Sequence, residues 1–241
     1  MNAALLALGG TAPLPSPGHA PGVYQGAAEV IAALMLLLEF GMLRQALVRD
    51  QVRLYAAQSA MISVLAVVIA ADRNLPDLYA LAALSAALKV FAVPLVLRRL
   101  LGPPAVEETR GVAGSYTLSP ASAVLASLVL AAFGFFCFGS LGIHGAEVPA
   151  LALSIAGAMV FVAFVLMIVR RDVASQAIGF FSLENGVSLT SLVVAAGLPL
   201  ILEIAFLFDL LVAVVVFGFL IRVHHGRAES LSTADLTSLR G

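Results

Sequence analysis

Charged side chains lie within stretches of the sequence that are otherwise apolar enough to cross a membrane. They are Glu39, Lys89, Glu184, Glu203 and Asp209. An ionised side chain at the centre of a membrane helix costs roughly 2.5–3.5 kcal/mol on insertion scales. Such groups persist when they face one another, a hydrated cavity or a partner subunit, and buried carboxyl and amine groups can exchange protons near neutral pH. The chemistry that they indicate is ion or proton transfer within the membrane.

Three of these carboxyl groups fall in the last two apolar stretches. Glu184 is near the middle of its stretch, and Ser188 and Ser191 follow at i+4 and i+7, on the same face of a helix. A carboxyl beside a row of hydroxyls suits a track for protons or water, although a protonated glutamate could instead only join helices. Asp209 is also near mid-depth and is the predicted partner of Glu184. Glu203 lies nearer the outer interface and projects about 120° from Asp209, as an outer relay or a hydrated interfacial group.

Lys89 is the one lysine of the chain, and it lies inside an apolar stretch. Ser85 precedes it by one helical turn, and Pro94 follows it closely. A proline inside a membrane helix frees a backbone carbonyl and can bend the helix, and a buried lysine can release its proton. We predict Glu39 as the counter-ion of Lys89. Whether this pair moves charge or only fixes helix packing stays open.

The composition assigns the class of protein. The chain has 241 residues, of which 61% are hydrophobic and 11% charged, with a mean hydropathy of +1.06. A soluble domain has about 25% charged residues. The sequence therefore predicts an all-α, polytopic integral membrane protein. The sequence has no stripe of basic residues, so it predicts no nucleic-acid site.

The sequence offers no recognisable redox or metal centre. Cys137 is the one cysteine, which excludes an intrachain disulfide, a thiolate zinc site and an iron–sulfur cluster. The histidines are not spaced as metal ligands and are interpreted as interfacial polar residues. We therefore expect no cofactor in this chain and no catalysis by the chain alone.

Seven stretches are long enough to span a membrane, which needs roughly 20 apolar residues. Their approximate limits are 26–47, 54–71, 78–97, 120–143, 149–169, 173–196 and 199–222. Eleven arginines fall in or beside alternate loops and the C-terminal end, against Arg73 alone on the other side. The excess of basic residues predicts an external N-terminus and a cytoplasmic C-terminus, as an odd number of spans requires.

The spans divide the chain into five segments. We predict an external N-terminal segment (1–25), three membrane helices with a cytoplasmic loop (26–119), a fourth helix with an outer loop (120–148), a three-helix module (149–222) and a cytoplasmic tail (223–241). The proline-rich start has no basic region before its apolar residues, so a cleaved signal peptide is not expected.

Two segments carry a resemblance to a known family. The segment "IGFFSLENGVSLTSLVVAAGLPLILEIAFLFDLLVAVVVFGFLIRVHH" and the earlier "LPDLYALAALSAALKVFAVPLVLRRLL" resemble the hydrogenase-4 component E family. Members of that family are membrane subunits of formate hydrogenlyase-type group 4 hydrogenases. The resemblance covers most of residues 25–241.

The last three spans are also similar to subunit K of respiratory complex I, a three-helix protein with a buried glutamate in each of its last two helices. "VRRD" precedes "IGFFSLENG" here, and the tail ends in "LTSLRG". Glu184 matches the first glutamate, although it lies a few residues farther from Arg171 than in that family. Glu203 has the matching local context for the second, and Asp209 the matching distance to the basic end of the helix, so both remain candidates.

The resemblance implies a subunit in the membrane arm of a complex I-related redox complex in a bacterial or archaeal plasma membrane. It implies antiporter-like and quinone-module-like membrane partners, and peripheral hydrogenase and iron–sulfur subunits that carry nickel–iron and iron–sulfur centres. Electron transfer there would be coupled to proton or sodium movement. The alternatives are a subunit of a multi-subunit cation/proton antiporter and a membrane scaffold that conducts nothing.

Overall fold

The described part of the chain consists almost entirely of helices. The computed structural model describes residues 23–101, 118–142, 149–194 and 200–230. In chain order, its helices are α1 (Val23–Arg44), α2 (Val48–Arg73), α3 (Pro76–Ser85), a π-helix (Ala86–Ala92), α4 (Val93–Leu101), α5 (Pro120–Gly139), α6 (Ala150–Val169), α7 (Val173–Val194) and α8 (Leu200–Ser230). Most of the predicted external N-terminal segment lies outside the described residues.

The helices are those of a multi-pass membrane protein. Within the described residues, six segments are long and apolar enough to cross a membrane: α1, α2, the continuous stretch from α3 to α4, α5, α6 and α7. Helix α8 occupies the seventh predicted span. Large apolar side chains are exposed on the outer faces of these helices, as a lipid-facing surface requires. Examples are Leu37, Phe91, Phe136, Ile168 and Val215.

Helix α6 is the centre of the packing and contacts α1, α5 and α7. Its contact with α5 depends on two glycines, because a Cβ atom on Gly157 would lie 2.5 Å from the Gly134 carbonyl oxygen and 2.4 Å from Phe138 Cγ. On the α7 side, a Cβ on Gly179 would meet Met167 Cγ at 2.7 Å. Small residues let membrane helices approach closely and make many van der Waals contacts. These contacts hold helices together in lipid, where no hydrophobic driving force acts between them. These glycines therefore fix how α5 and α7 pack against α6.

The third span is interrupted by the π-helix, which covers Ala86–Ala92 and contains Lys89. Pro94 follows it, and proline has no N–H to donate to the carbonyl four residues earlier and clashes with that carbonyl in an α-helix. The wider turn relieves this clash: the N–H of Val93 bonds to the oxygen of Leu88, five residues back. The predicted bend at Pro94 is therefore a π-helix, and such segments are found frequently at functional sites.

Helix α8 packs on α3, α4 and α7 and is longer than the sequence indicated. It runs to Ser230, whereas the predicted span ends at residue 222. The end of an apolar stretch marks where a helix leaves the hydrocarbon. The backbone can remain helical in water beyond that point. The first part of the predicted cytoplasmic tail is thus a continuation of α8.

Candidate functional site

Lys89 and Glu184 form a buried ion pair at the centre of the helical assembly. Lys89 Nζ lies 2.7 Å from Glu184 Oε1 and 2.5 Å from Oε2. The same ammonium group donates to Ser188 Oγ at 3.0 Å and to Asn185 Oδ1 at 3.4 Å, so three acceptors match its three N–H groups. Ser188 Oγ also donates to Glu184 Oε1 at 3.0 Å. Lys89 thus joins the π-helix to one face of α7.

A chain of side-chain hydrogen bonds continues from this ion pair to Glu39 on α1. Asn185 Nδ2 donates to Gln58 Oε1 at 3.1 Å. Ser182 Oγ lies 3.1 Å from Gln58 Oε1 and 2.8 Å from Glu39 Oε1, so its one hydroxyl hydrogen can serve either acceptor, one at a time. Glu39, Gln58, Ser182 and Asn185 are all completely buried. Side chains from α1, α2, α7 and the π-helix therefore form one connected polar network.

Two facing polar stripes on α2 and α7 contain most of this network, to which Gln58 and Ser59 of α2 and Ser182, Asn185 and Ser188 of α7 belong. The stripe on α2 consists of Gln51, Tyr55, Gln58, Ser59 and Ser63, all of them buried. The stripe on α7 consists of Ser175, Ser182, Asn185, Ser188 and Ser191. From Ser175 to Ser191 the α7 stripe rises by sixteen residue steps, roughly 24 Å at about 1.5 Å per residue, which approaches the roughly 30 Å thickness of the hydrocarbon. The polar residues thus extend across most of the membrane.

A cavity of about 50 Å³ lies beside the ion pair. It borders both Lys89 and Glu184, and the hydroxyl-bearing residues along it are Ser63, Ser85, Ser188 and Ser191. A cavity needs about 10–15 Å³ for each water molecule, together with polar partners. The cavity can therefore hold about three waters. Its walls come from the second half of α2, α3, the π-helix, the second half of α7 and Leu207 of α8. In the predicted orientation, the parts of α2, α3 and α7 that line it belong mainly to the outer half of the membrane.

A buried arginine joins the helix ends on the opposite, predicted cytoplasmic side. Arg170 follows α6 and is 1% exposed. It donates to the backbone oxygens of Leu43, at 3.3 Å, and Gln45 at the end of α1. Its own backbone oxygen accepts from Gln176 Nε2 at 2.8 Å. Arg170 therefore satisfies carbonyls that the end of α1 leaves open, and it ties α1 to the connection between α6 and α7.

The structure brings some of the predicted site residues together and separates others. Glu184, Lys89 and Ser188 are in direct contact, and Ser85 and Ser191 line the cavity beside them. The predicted Lys89–Glu39 ion pair is wrong, because Lys89 bonds to Glu184, whereas Glu39 accepts a hydrogen bond from Ser182. Both carboxyl groups lie well inside their apolar stretches, but hydropathy does not show which neighbouring helix each of them faces.

The two carboxyl groups of α8, Asp209 and Glu203, are not part of the described network. Asp209 is exposed on α8, so the prediction that it faces Glu184 is wrong. It is about nine residues, roughly 14 Å, from the start of the helix and thus near mid-depth. Glu203 lies in α8, but its side chain is outside the described ones.

Four uncharged polar residues of the site, two on α2 and two on α7, were not predicted from the sequence. Gln58, Ser59, Ser182 and Asn185 carry four of the hydrogen bonds between the carboxyl groups. Their helical spacing was a usable indication, since Ser182 and Asn185 are three apart on α7, as Asn185 and Ser188 are. Polar amides and hydroxyls repeating on one face of an apolar helix predict a buried partner face.

Fold and site together define a multi-pass membrane protein with a buried, charged hydrogen-bond network. Over the described part of the chain, no three His, Cys, Asp or Glu side chains come together as metal ligands.

The chain is 32% identical over 195 residues to "Uncharacterized protein Rv0085" of Mycobacterium tuberculosis (strain ATCC 25618 / H37Rv), a match that covers 80% of this chain and 84% of the relative. The chain therefore belongs to the same family as that protein. No family model matches the chain, and no solved structure matches it.

Proposed function

We propose that this chain is a membrane-arm subunit of an energy-converting, complex I-related redox complex of the hydrogenase-4 or formate hydrogenlyase type. In this role it moves protons or sodium ions across a bacterial or archaeal plasma membrane and does no redox chemistry itself. The observation that carries the proposal is the buried pair between Lys89 of the π-helix and Glu184 of α7, connected by side chains to Glu39. The family resemblance of the sequence supplies the class of complex.

The energetics of the network favour transfer over packing alone. Each ionised group in the hydrocarbon costs roughly 2.5–3.5 kcal/mol, and buried ion pairs add little net stability compared with apolar side chains of the same volume. A fold that needed only packing would gain by replacing Lys89 and Glu184. The adjacent cavity has room for water and would give the ion pair a route to one side of the membrane. Charge, hydration and a polar connection to Glu39 together suit ion transfer.

Asp209 supports the existence of a membrane partner. It is exposed near the middle of α8, among apolar side chains such as Phe208 and Val212, which are 62% and 45% exposed. A carboxylate facing lipid at this depth is costly, and the charge is best satisfied by a donor from a neighbouring protein helix. We therefore place a partner subunit of the membrane arm against this face of α8. In the proposal, Asp209 takes part in ion transfer at the interface with that subunit, and Glu203 takes part in ion transfer on the outer side.

The test is Glu184→Gln in inverted membrane vesicles that contain the native complex. We expect normal subunit content and a large loss of donor-driven ion translocation, because the amide keeps the hydrogen bond with Ser188 but cannot take up a proton. Glu29→Gln is the matched control, since Glu29 is a partly exposed carboxyl group near the start of α1. Unchanged translocation by Glu184→Gln at normal subunit content would refute the transport role.

A subunit of a multi-subunit cation/proton antiporter is the second candidate, because the same network would serve there without redox partners. Gentle extraction of the tagged chain from its native membrane distinguishes the two. Nickel–iron hydrogenase and iron–sulfur proteins in the extract would favour the redox complex, whereas membrane subunits alone would favour the antiporter. A scaffold that conducts nothing predicts that neutral replacements of Lys89 and Glu184 together leave translocation unchanged.

A further inference from the structure

The hydrogen-bond chain between Glu184 and Glu39 passes through two carboxamides. On one side, Glu184 is surrounded by Lys89 and Ser188, which are next to the cavity. On the other side, Glu39 accepts from the Ser182 hydroxyl. Between these groups lie the side chains of Asn185 and Gln58.

Carboxamides do not relay protons as hydroxyl and carboxyl groups do. A hydroxyl accepts a proton and releases one from the same oxygen, whereas an amide accepts at its oxygen and donates from its nitrogen. Passing a proton through an amide would require a protonated amide or its imidic tautomer, both of which are high in energy. The connected hydrogen bonds therefore do not form a continuous proton wire.

The two amides are also held in one orientation. Both N–H groups of Asn185 are used, toward Gln58 Oε1 at 3.1 Å and Ser59 Oγ at 3.0 Å. Gln58 Nε2 donates to the backbone oxygen of Met35 at 3.3 Å. Gln58, Ser59 and Asn185 are each 0% exposed, so this segment gives water no direct access. Rotation of either amide would break at least two buried hydrogen bonds, each of which leaves a polar group unsatisfied.

We propose that the Gln58–Asn185 amide pair is an insulating gate that separates the Glu184 half of the path from the Glu39 half. The gate keeps the idle protein tight to protons, and Lys89, which contacts both Glu184 and Asn185, lies on the Glu184 side of it. The inference rests on the proposed ion translocation and adds the residues that prevent leakage. Gln58 and Asn185 are positioning residues in this scheme.

The test measures passive proton leakage in inverted membrane vesicles that contain the native complex and no electron donor. An acid-inside pH gradient is imposed, and its decay is followed with a pH-sensitive dye. We expect Asn185→Asp and Gln58→Glu each to speed the decay several-fold, because a carboxyl group replaces the insulating amide with a relay. Wild-type vesicles should decay at the rate of vesicles that lack the chain.

Gln51→Glu is the matched control. Gln51 is another fully buried glutamine on α2, and it bonds to the Gln45 backbone oxygen rather than bridging the two carboxyl groups. Its replacement adds the same buried carboxyl without opening the gate, and we expect no added leak. Equal leakage by this control would overturn the proposal, as would wild-type tightness of Asn185→Asp and Gln58→Glu at normal abundance.

Asn185→Ser keeps the test decisive if the acidic variants fail to accumulate. It adds no charge, is smaller than asparagine and places a relaying hydroxyl and room for water in the gate. We expect it to leak, and a tight Asn185→Ser complex would contradict the gate. The assay uses no electron donor, so its result does not depend on redox coupling. A leak by these variants alongside normal pumping by Glu184→Gln would keep the gate and reject the proposed function.

Discussion

Replacing Lys89 with methionine removes the cation that neutralises Glu184 and leaves a long, unbranched apolar side chain in its place. Removing one member of a buried ion pair costs about 3–5 kcal/mol, because the other charge stays buried without compensation. The Glu184 side chain is 12% exposed and borders the cavity. Water there reduces the loss, so we expect the lower value, about 3 kcal/mol. At about 2–4 °C per kcal/mol for a chain of this length, Tm should fall by about 6–12 °C.

A double-mutant cycle separates the ion pair from other effects of the substitution. Lys89→Met combined with Glu184→Gln removes both charges and keeps an amide beside Ser188. We expect the double variant to lose only about 1 kcal/mol and the two sites to be coupled by about 2 kcal/mol or more. Thermal unfolding of the detergent-purified complex measures stability, and donor-driven acidification of inverted vesicles measures function. The double variant should regain stability but not ion translocation.

Two results would refute this reasoning. Losses that simply add in the cycle, with no coupling, would show that Lys89 and Glu184 do not stabilise each other. A double variant that regains both stability and full translocation would show that the pair only holds helices together. Normal subunit content, checked by immunoblotting, is required for both comparisons.

The packing, the π-helix and the cavity each give a further prediction. Pro94→Ala restores a backbone N–H in the third span, so the π-helix should shorten toward α-helix, turn Lys89 away from Glu184 and lower donor-driven translocation in vesicles. Gly157→Ala should reduce the amount of folded protein recovered in detergent, because its Cβ would lie 2.5 Å from a backbone oxygen of α5. Gly26→Ala, whose Cβ would meet nothing within 4 Å, should have no such effect. Ser191→Cys, in a chain without the native cysteine, should react with a charged, membrane-impermeant thiol reagent added from outside the cell and not from the cytoplasmic side. Protection of this cysteine from both sides would contradict a hydrated cavity.

Hydropathy and charge were enough to predict the helices but not their faces. A run of apolar residues bounded by arginine gives the length and depth of each span. Glu39, Glu184 and Asp209 were all assigned to the middle of the membrane, and depth could not choose among them as the partner of Lys89. The choice depends on which helix faces point inward, and that depends on close contacts such as the one between Gly134 and Gly157. Such contacts depend on pairs of residues far apart in sequence.

The π-helix is a second reason why the pairing could not be read from the sequence. Pro94 predicted a disturbance of the third span, but an α-helix can respond to proline by bending or by widening a turn. These responses point Lys89 in different directions. The amides of Gln58 and Asn185 posed a different problem, because the cost of burial in the membrane singles out charged residues and not amides. An amide costs less to bury, so its role becomes visible only when its partners are known.

The positions of the network partners along the chain have a consequence for biosynthesis. Lys89 bonds to Glu184, Asn185 and Ser188, and Glu39 bonds to Ser182, so the partners are 95 to 143 residues farther along the chain. During synthesis, α1 and the third span enter the membrane well before α7 exists. Each isolated charge costs roughly 2.5–3.5 kcal/mol until that helix arrives. In a nascent chain that stalls before α7, Lys89 and Glu39 therefore lack these partners. Such a chain depends on the insertion machinery to hold its early helices in place.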